Sequence, residues 1–153
     1  MKVPSRRFWV RSGLVIVLAF VVIQVVPYGR DHANPPAGAE PPWDSPDTRA
    51  LAKQACFDCH SNETEWPAYS RVAPVSWLIQ HDVSEGRAAL NFSEWQRPQE
   101  EATEAAAEVR EGEMPLPSYL WIHRDAVMAK GDAERLCVWA KAERARITTD
   151  GGK

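Results

Sequence analysis

Two thiols and an imidazole lie within five residues of one another, at Cys56, Cys59 and His60. Thiols three positions apart on a helical turn can each form a thioether with one of the two vinyl groups of a haem, and the next residue then directs its imidazole at the iron. The Cys-x-x-Cys-His spacing is the attachment signature of c-type haem. It predicts haem c as the cofactor, one per chain, with His60 as the proximal axial ligand.

Three other kinds of site compete for the same residues. A thioredoxin-type dithiol would follow a β-strand, whereas a helix is predicted to lead into Cys56. A structural zinc site would need two further ligands at close spacing, but Cys137 stands alone and the remaining histidines are scattered. A disulfide between Cys56 and Cys59 stays open. Haem is favoured because the N-terminus predicts export to a compartment in which c-type haem is attached.

The sixth iron ligand is expected from a loop well downstream of the attachment residues. Met114 lies close to Gly112 and Pro115, which would fix the loop and aim the thioether sulfur. A thioether is a soft ligand that suits low-spin haem iron and raises its reduction potential relative to a second imidazole. Met114 is therefore predicted to be the distal axial ligand. His123, nine residues later, and His81, on a predicted helix, are the alternatives.

The imidazole of His60 also needs a hydrogen-bond acceptor that fixes its ring. Metal-bound histidines donate their second ring N–H to a carboxylate, a backbone carbonyl or water. We expect a carbonyl in the proline-containing stretch 67–74 to accept this hydrogen bond.

The elements that position these residues are all predicted to be helices. The sequence Ser-Pro-Asp at 45–47 gives a capping hydroxyl, a first-turn proline and an acid near the helix N-terminus, so a helix is predicted over 46–59. Apolar spacing and helix stop signals predict further helices over 75–90, 98–112, 119–128 and 132–147. No stretch alternates like a strand. Residues 45–147 are therefore predicted to form an all-α domain around one covalent haem.

The N-terminal part of the chain contains an uncharged apolar run over 12–28, SGLVIVLAFVVIQVVPY. Its length approaches that of a bilayer core, and the basic residues of this region all precede it. The run predicts a single transmembrane signal-anchor, residues 1–28, in the bacterial cytoplasmic membrane, with the haem domain facing the periplasm or the cell exterior. A cleaved signal peptide is the alternative, although residues 25–29 match a cleavage site poorly.

The remainder of the chain is acidic. Four of the 18 basic residues and none of the 21 acidic ones precede residue 29, which leaves an excess of seven acidic residues after it. Such a charge argues against a nucleic-acid partner, which would need a basic face. Residues 29–44, with four prolines, are predicted to be a linker, and residues 148–153 a flexible tail. The expected partners are the membrane, through the N-terminal helix, and redox proteins.

Segments spread over nearly the whole chain indicate a known family. In order they are CFDCH, PVSWLIQHDVSEGRAALNFSEW, REGEMPLPSYLWIHRDA and ERLCVWA. This series resembles the small membrane-anchored bacterial haem-binding domain proteins with a single C-x-x-C-H. The resemblance implies a monohaem cytochrome c-like domain in which Cys56, Cys59 and His60 attach the haem. The G-x-M-P element resembles the distal-ligand loop of class I cytochromes c, which implies that role for Met114. Residues 75–96 depart from ordinary short cytochromes.

Electron transfer is the function that these features predict best. An iron with two protein ligands changes between its ferric and ferrous states with little reorganisation. No nucleophile or carboxylate pair is placed for catalysis in the sequence, so we expect an electron carrier rather than an enzyme. The alternative is a ligand sensor or peroxidase-like enzyme with an open or displaceable distal site, because His81, His123 and the 75–96 segment could form a distal pocket.

Overall fold

A computed structural model describes residues 5–99, 102 and 104–150, with side chains as far as residue 146. Those residues form seven α-helices and no strand, so the predicted all-α class is confirmed. They belong to two compact units: unit 1 comprises Met1–Ala33 and Trp66–Asp82, and unit 2 comprises Asn34–Glu65 and Val83–Lys153. The helices are α1 (Arg6–Ile23), α2 (Pro46–Ala55), α3 (Phe57–His60), α4 (Val75–Ala89), α5 (Ala105–Glu111), α6 (Pro117–Ile122) and α7 (Lys130–Asp150).

Helix α1 begins farther upstream than the apolar run suggests. The side chain of Ser5 accepts a hydrogen bond from the backbone N–H of Phe8 at 3.4 Å, and this cap starts the helix at Arg6. The 18 residues of α1 therefore include Arg6, Arg7 and Arg11. No helix among the described residues is long and apolar enough to cross a bilayer. The predicted transmembrane anchor is wrong, and so is the predicted location in the bacterial cytoplasmic membrane with the haem domain on its outer side.

Unit 1 is held together by hydrogen bonds from side chains to the backbone. The amide of Gln24 donates to the carbonyl of Ala73 at 2.9 Å and accepts from the N–H of the same residue at 3.0 Å. The ring of His32 stacks on Trp66 at 4.7 Å, and its Nε2 bonds to the carbonyl of Ser70 at 3.1 Å. His32 is therefore a packed residue of unit 1, although its proline-rich surroundings suggest a solvated side chain.

Helix α2 starts at its predicted cap but ends at Ala55, directly before the first cysteine of the motif. The hydroxyl of Ser45 accepts the backbone N–H of Thr48 at 3.1 Å, which confirms the helix start. Cys56, with φ −126° and ψ −32°, departs from α-helical geometry, ends α2 and precedes the one-turn helix α3. The predicted continuous helix over 46–59 is thus two helices that meet at Cys56.

The core of unit 2 is aromatic. Trp43 stacks on Trp139 of α7 at a centroid distance of 4.4 Å, and Phe57 of α3 stacks on Phe92 at 5.4 Å. Phe92 also stacks on Trp95 at 6.0 Å. Phe57 is only 1% exposed, so the residue directly after the first cysteine of the motif is anchored in this cluster.

Helices α5 and α7 also pack together in unit 2. Ala106 and Cys137 are both buried, and the thiol of Cys137 donates to the carbonyl of Ala106 at 3.4 Å. Gly112 ends α5 as predicted, in a left-handed conformation (φ +80°) that glycine adopts without strain. Helix α5 itself begins at Ala105; the predicted helix over 98–112 contains residues 100, 101 and 103, which lie outside the described residues. Residues 151–153 of the predicted tail also lie outside them.

Candidate functional site

Residues 56–60, called the attachment turn below, place the two thiols and the imidazole on one helical turn. The N–H groups of Cys59 and His60 donate to the carbonyl of Cys56 at 3.2 and 2.9 Å. None of the three cysteines, all within the described residues, forms a disulfide. Burial raises the pKa of the Cys56 thiol to about 12, and the neighbouring Cys59 adds to this rise. The attachment turn therefore offers a neutral, half-buried thiol and a second half-buried thiol one turn away.

The ring of His60 is fixed by two backbone carbonyls. Its Nδ1 lies 2.9 Å from the carbonyl oxygen of Gly86 and 3.0 Å from that of Leu90. Carbonyl oxygens can only accept hydrogen bonds, so Nδ1 carries a proton, and in the neutral ring Nε2 then carries the lone pair. This is the tautomer that an iron ligand needs. The predicted acceptor in the stretch 67–74 is wrong, because the accepting carbonyls belong to α4 and to the residue that follows it.

The second half of α4, residues 83–89, approaches the attachment turn closely at Gly86. A Cβ added to Gly86 would lie 2.6 Å from the carbonyl oxygen of Cys59 and 3.0 Å from its Cβ. Only glycine lets the helix backbone come this near. A glycine inside a helical pattern is the sequence signal of such an approach, and it could have indicated this contact.

Arg87 fastens the chain that leaves the attachment turn. Its Nε donates to the carbonyl of Ser61 at 2.8 Å, and its Nη2 donates to Thr64 Oγ1 at 2.9 Å and to Asn34 Oδ1 at 2.8 Å. Burial lowers the pKa of Arg87 below its ordinary value. Helix α4 and Leu90 directly after it thus support the attachment turn through a close glycine, two carbonyls and an arginine. The helical pattern of 75–90 does not predict these roles.

Asp58, between the two cysteines of the motif, is bound to a distant tyrosine. Its Oδ2 accepts the hydroxyl of Tyr119 at 2.7 Å, and its Oδ1 accepts the N–H of Glu65 at 3.0 Å. Its backbone carbonyl accepts the hydroxyl of Thr64 at 2.7 Å. Burial raises the pKa of Tyr119 well above its ordinary value, and the bond to Asp58 raises it further, so the phenol remains a neutral donor.

Met114 lies in the short loop between α5 and α6. It is half-buried, and its N–H and that of Glu113 both donate to the carbonyl of Glu108, at 3.2 and 3.0 Å. Pro117 starts α6, so Tyr119 is in the first turn of the helix that ends this loop. The bond of Tyr119 to Asp58 therefore connects the far end of the methionine loop to the attachment turn. Ligation of iron by Met114 itself stays a prediction.

The two alternative distal ligands lie in different units. His123, in unit 2, stacks on the ring of Tyr119 at 4.0 Å, and its Nδ1 bonds to the carbonyl of Tyr119 at 3.1 Å. Because that partner is a carbonyl, Nδ1 of His123 is the donor of this hydrogen bond. His81, in unit 1, is exposed on α4 beside Asp82, whose pKa burial raises. Both assignments stay predictions.

The donor set of the attachment turn can be compared with what a haem requires. Two thiols and an imidazole with its lone pair on Nε2 share one turn, which suits thioether formation and axial ligation. Among the described residues, no group of three His, Cys, Asp or Glu side chains is placed to hold a bare metal ion. The residues present therefore fit a haem, and the fold and site together define a small all-α haem protein.

Comparison with known proteins identifies the family. A model of the haem-binding domain family matches residues 18–142, which is most of the chain, so the chain belongs to that family. No curated protein and no solved structure matches it. Haem is thus the cofactor of this domain, and the resemblance to haem-binding domain proteins is confirmed to that extent.

Proposed function

We propose that this haem-binding domain is a monohaem c-type cytochrome-like electron carrier. Cys56 and Cys59 form the two thioethers, His60 is the proximal ligand and Met114 is the distal ligand. The observation that carries the proposal is the imidazole of His60, whose Nδ1–H is engaged by two carbonyls at 2.9 and 3.0 Å on the same turn as both thiols. A ring held through Nδ1 in this way keeps Nε2 as the basic atom that can bind a metal.

Covalent attachment through this turn needs neither an oxidant nor a reductant. The sulfur of Cys56 or Cys59 bonds to one vinyl carbon and the thiol proton passes to the other, so the carbon–carbon double bond becomes a single bond. Two such bonds retain the cofactor in a domain too small to bury it fully. The bound haem supplies reversible one-electron exchange.

His60 and Met114 are the two residues that would hold the iron and set its properties. The carbonyls that accept from His60 restrict rotation of its ring and increase its basicity as a ligand. A thioether from Met114 favours the ferrous state relative to a second imidazole. With His60 and Met114 both holding the haem, the domain would exchange electrons with redox partner proteins, and the two side chains would keep small ligands from the iron.

The covalent bond is tested on protein produced with a c-type haem-attachment machinery. We expect the intact mass to exceed that of the polypeptide by one haem, and the haem to stay with the chain after denaturation. Cys56→Ser and Cys59→Ser should each retain one thioether and show a shifted pyridine haemochrome band. Cys137→Ser, which alters a buried thiol away from the motif, is the control and should match the wild type. Complete loss of haem on denaturation of the wild type would refute covalent attachment.

Methionine ligation and the carrier function are tested by spectroscopy. The ferric protein should be low-spin with a sulfur-to-iron charge-transfer band that disappears in Met114→Ala and persists in Met128→Ala. The ferrous wild type should react slowly with carbon monoxide, because the sulfur must leave first. A high-spin ferric spectrum with rapid carbon monoxide binding would instead support a haem with an open distal site, as in a sensor or a peroxidase-like enzyme.

A further inference from the structure

The bond between Tyr119 and Asp58 joins two parts of unit 2 that are 61 residues apart in sequence. Asp58 lies inside the attachment turn, and Tyr119 lies five residues after Met114, in the first turn of α6. The oxygen–oxygen distance of 2.7 Å is that of a strong hydrogen bond to a carboxylate.

The segment between Met114 and Tyr119 is short and conformationally restricted. It contains Pro115 and Pro117, and a proline fixes its own φ and restricts the residue before it. Because this segment has few accessible conformations, a restraint on the position of Tyr119 also restrains the position of Met114. At the other end of the loop, Gly112 stops α5, and the carbonyl of Glu108 accepts the N–H of Met114 at 3.2 Å.

Both partners of the bond are themselves held in place. Asp58 also accepts the backbone N–H of Glu65 at 3.0 Å, so its carboxylate cannot rotate freely. The ring of His123 stacks on Tyr119 at 4.0 Å with an interplanar angle of 17°, which restricts the plane of the phenol. The hydroxyl thus has one fixed target.

We propose that Tyr119 is a positioning residue for the distal ligand: its hydrogen bond to Asp58 fixes the loop that carries Met114 relative to the attachment turn. This inference rests on the proposed ligation of iron by Met114. It adds a residue that acts through another one and does not itself touch the cofactor. Loss of the hydroxyl increases the fraction of time in which the sulfur has left the iron.

The experiment compares haem-loaded Tyr119→Phe with the wild type. Carbon monoxide binding to the ferrous protein reports opening of the iron–sulfur bond, and the ferric charge-transfer band reports its population. A hydrogen bond to a charged acceptor corresponds to a change of roughly 10- to 100-fold in an equilibrium, so carbon monoxide should bind faster by up to that factor and the band should weaken. Ser118→Ala, which removes an exposed hydroxyl from the neighbouring position of α6, should change neither readout.

A double-mutant comparison assigns the effect to the bond itself. In an Asp58→Ala background, Tyr119→Phe should have no further effect, because the acceptor is already gone. If Asp58→Ala does not fold, Asp58→Asn serves instead: it keeps an acceptor oxygen without the charge, so Tyr119→Phe should have a smaller effect than in the wild type. An effect that is the same in both backgrounds would overturn the inference.

The outcomes separate this inference from the proposed function. If the wild type shows the band, Met114→Ala loses it and Tyr119→Phe differs from the wild type by less than about twofold, Tyr119 does not position the ligand. If the wild type lacks the band, or Met114→Ala retains it, methionine ligation fails and the inference fails with it.

Discussion

At the scale of single residues, the tautomer of His60 depends on two carbonyls that are 26 and 30 positions away in sequence. The motif predicts which residue is the proximal ligand because the two thiols and the imidazole are local neighbours. The motif does not predict the hydrogen-bond acceptors of His60, because it does not specify which distant segment of the chain packs against it. The same reasoning applies to Asp58, which occupies a position that the Cys-x-x-Cys-His pattern leaves unspecified.

Substitution of Gly86 tests how closely α4 must approach the attachment turn. In Gly86→Ala, the new Cβ would lie 2.6 Å from the backbone oxygen of Cys59, so either α4 or the attachment turn must move. We expect a loss of stability of about 1–3 kcal/mol, the usual cost of overpacking, measured by denaturant unfolding of the haem-loaded protein. The reduction potential should also change, because the acceptors of His60 Nδ1–H move with the helix.

The control for this substitution is Gly131→Ala on α7. A Cβ there meets nothing within 4 Å, so alanine should leave the potential unchanged and stabilise the helix by about 0.4–1 kcal/mol. Equal stability of Gly86→Ala and the wild type would mean that the close contact is absent in the haem-loaded protein.

At the scale of elements, the sequence predicts helices where the signals are local. The cap at Ser45 and the stop at Gly112 are both observed. The transmembrane prediction from the apolar run at 12–28 is wrong because the cap at Ser5 starts α1 at Arg6, so that the helix contains three arginines. The supporting role of α4 depends on long-range packing rather than on periodicity, and Gly86, inside the helical pattern, is the sequence signal that could have indicated it.

The segment that precedes α2 is attached to that helix by an ion pair. Arg49 donates through Nε to Glu40 Oε2 at 2.7 Å, and Trp43 Nε1 donates to the same oxygen at 2.7 Å. The hydrogen bond from Arg49 is the main reason that the pKa of Glu40 lies below its ordinary value of 4.5. Because the folded-state pKa is below the unfolded one, this pair stabilises the protein above the ordinary value, and the contribution is lost as the pH falls through the folded-state pKa.

Glu40→Gln tests this linkage. The free energy of unfolding of the wild type should fall more between about pH 6 and pH 3 than that of the variant, by about 1 kcal/mol or less, because the two side chains remain 26% and 36% exposed. Denaturant titrations at several pH values provide the measurement. Glu134→Gln, at an exposed position of α7, is the comparison and should follow the wild type. Parallel pH profiles for Glu40→Gln and the wild type would exclude a stabilising role for the pair.

At the scale of the whole molecule, the residues of the site come from separate segments of unit 2. Some of these segments pack against the aromatic cluster of Trp43, Phe57, Phe92, Trp95 and Trp139, and others are hydrogen-bonded to the attachment turn. Within this cluster, Phe57 of the attachment turn packs against Trp43 and Phe92, and Trp139 of α7 stacks on Trp43. Tyr119 connects α6 to the same turn. The cluster should therefore control both the stability of unit 2 and the position of the attachment turn.

Substitution of one buried and one exposed tryptophan tests how much the aromatic cluster contributes to the free energy of unfolding. Trp139 is 6% exposed, stacks on Trp43 at 4.4 Å and donates to the carbonyl of Pro42 at 3.4 Å, whereas Trp121 is 78% exposed on α6. Trp139→Ala should lose about 3–5 kcal/mol of unfolding free energy through the cavity it leaves, and Trp121→Ala should change it by less than about 0.5 kcal/mol.

Measurements on the haem-loaded proteins distinguish a global role for the cluster from a local one. Because Phe57 connects the cluster to the turn that bears both thiols, Trp139→Ala should accelerate hydrogen exchange in α3 as well as in α7, while Trp121→Ala leaves exchange in both helices unchanged. Faster hydrogen exchange in α7 alone would mean that the aromatic cluster stabilises only the helix that carries Trp139. The attachment turn would then be stabilised by α4 and the haem instead.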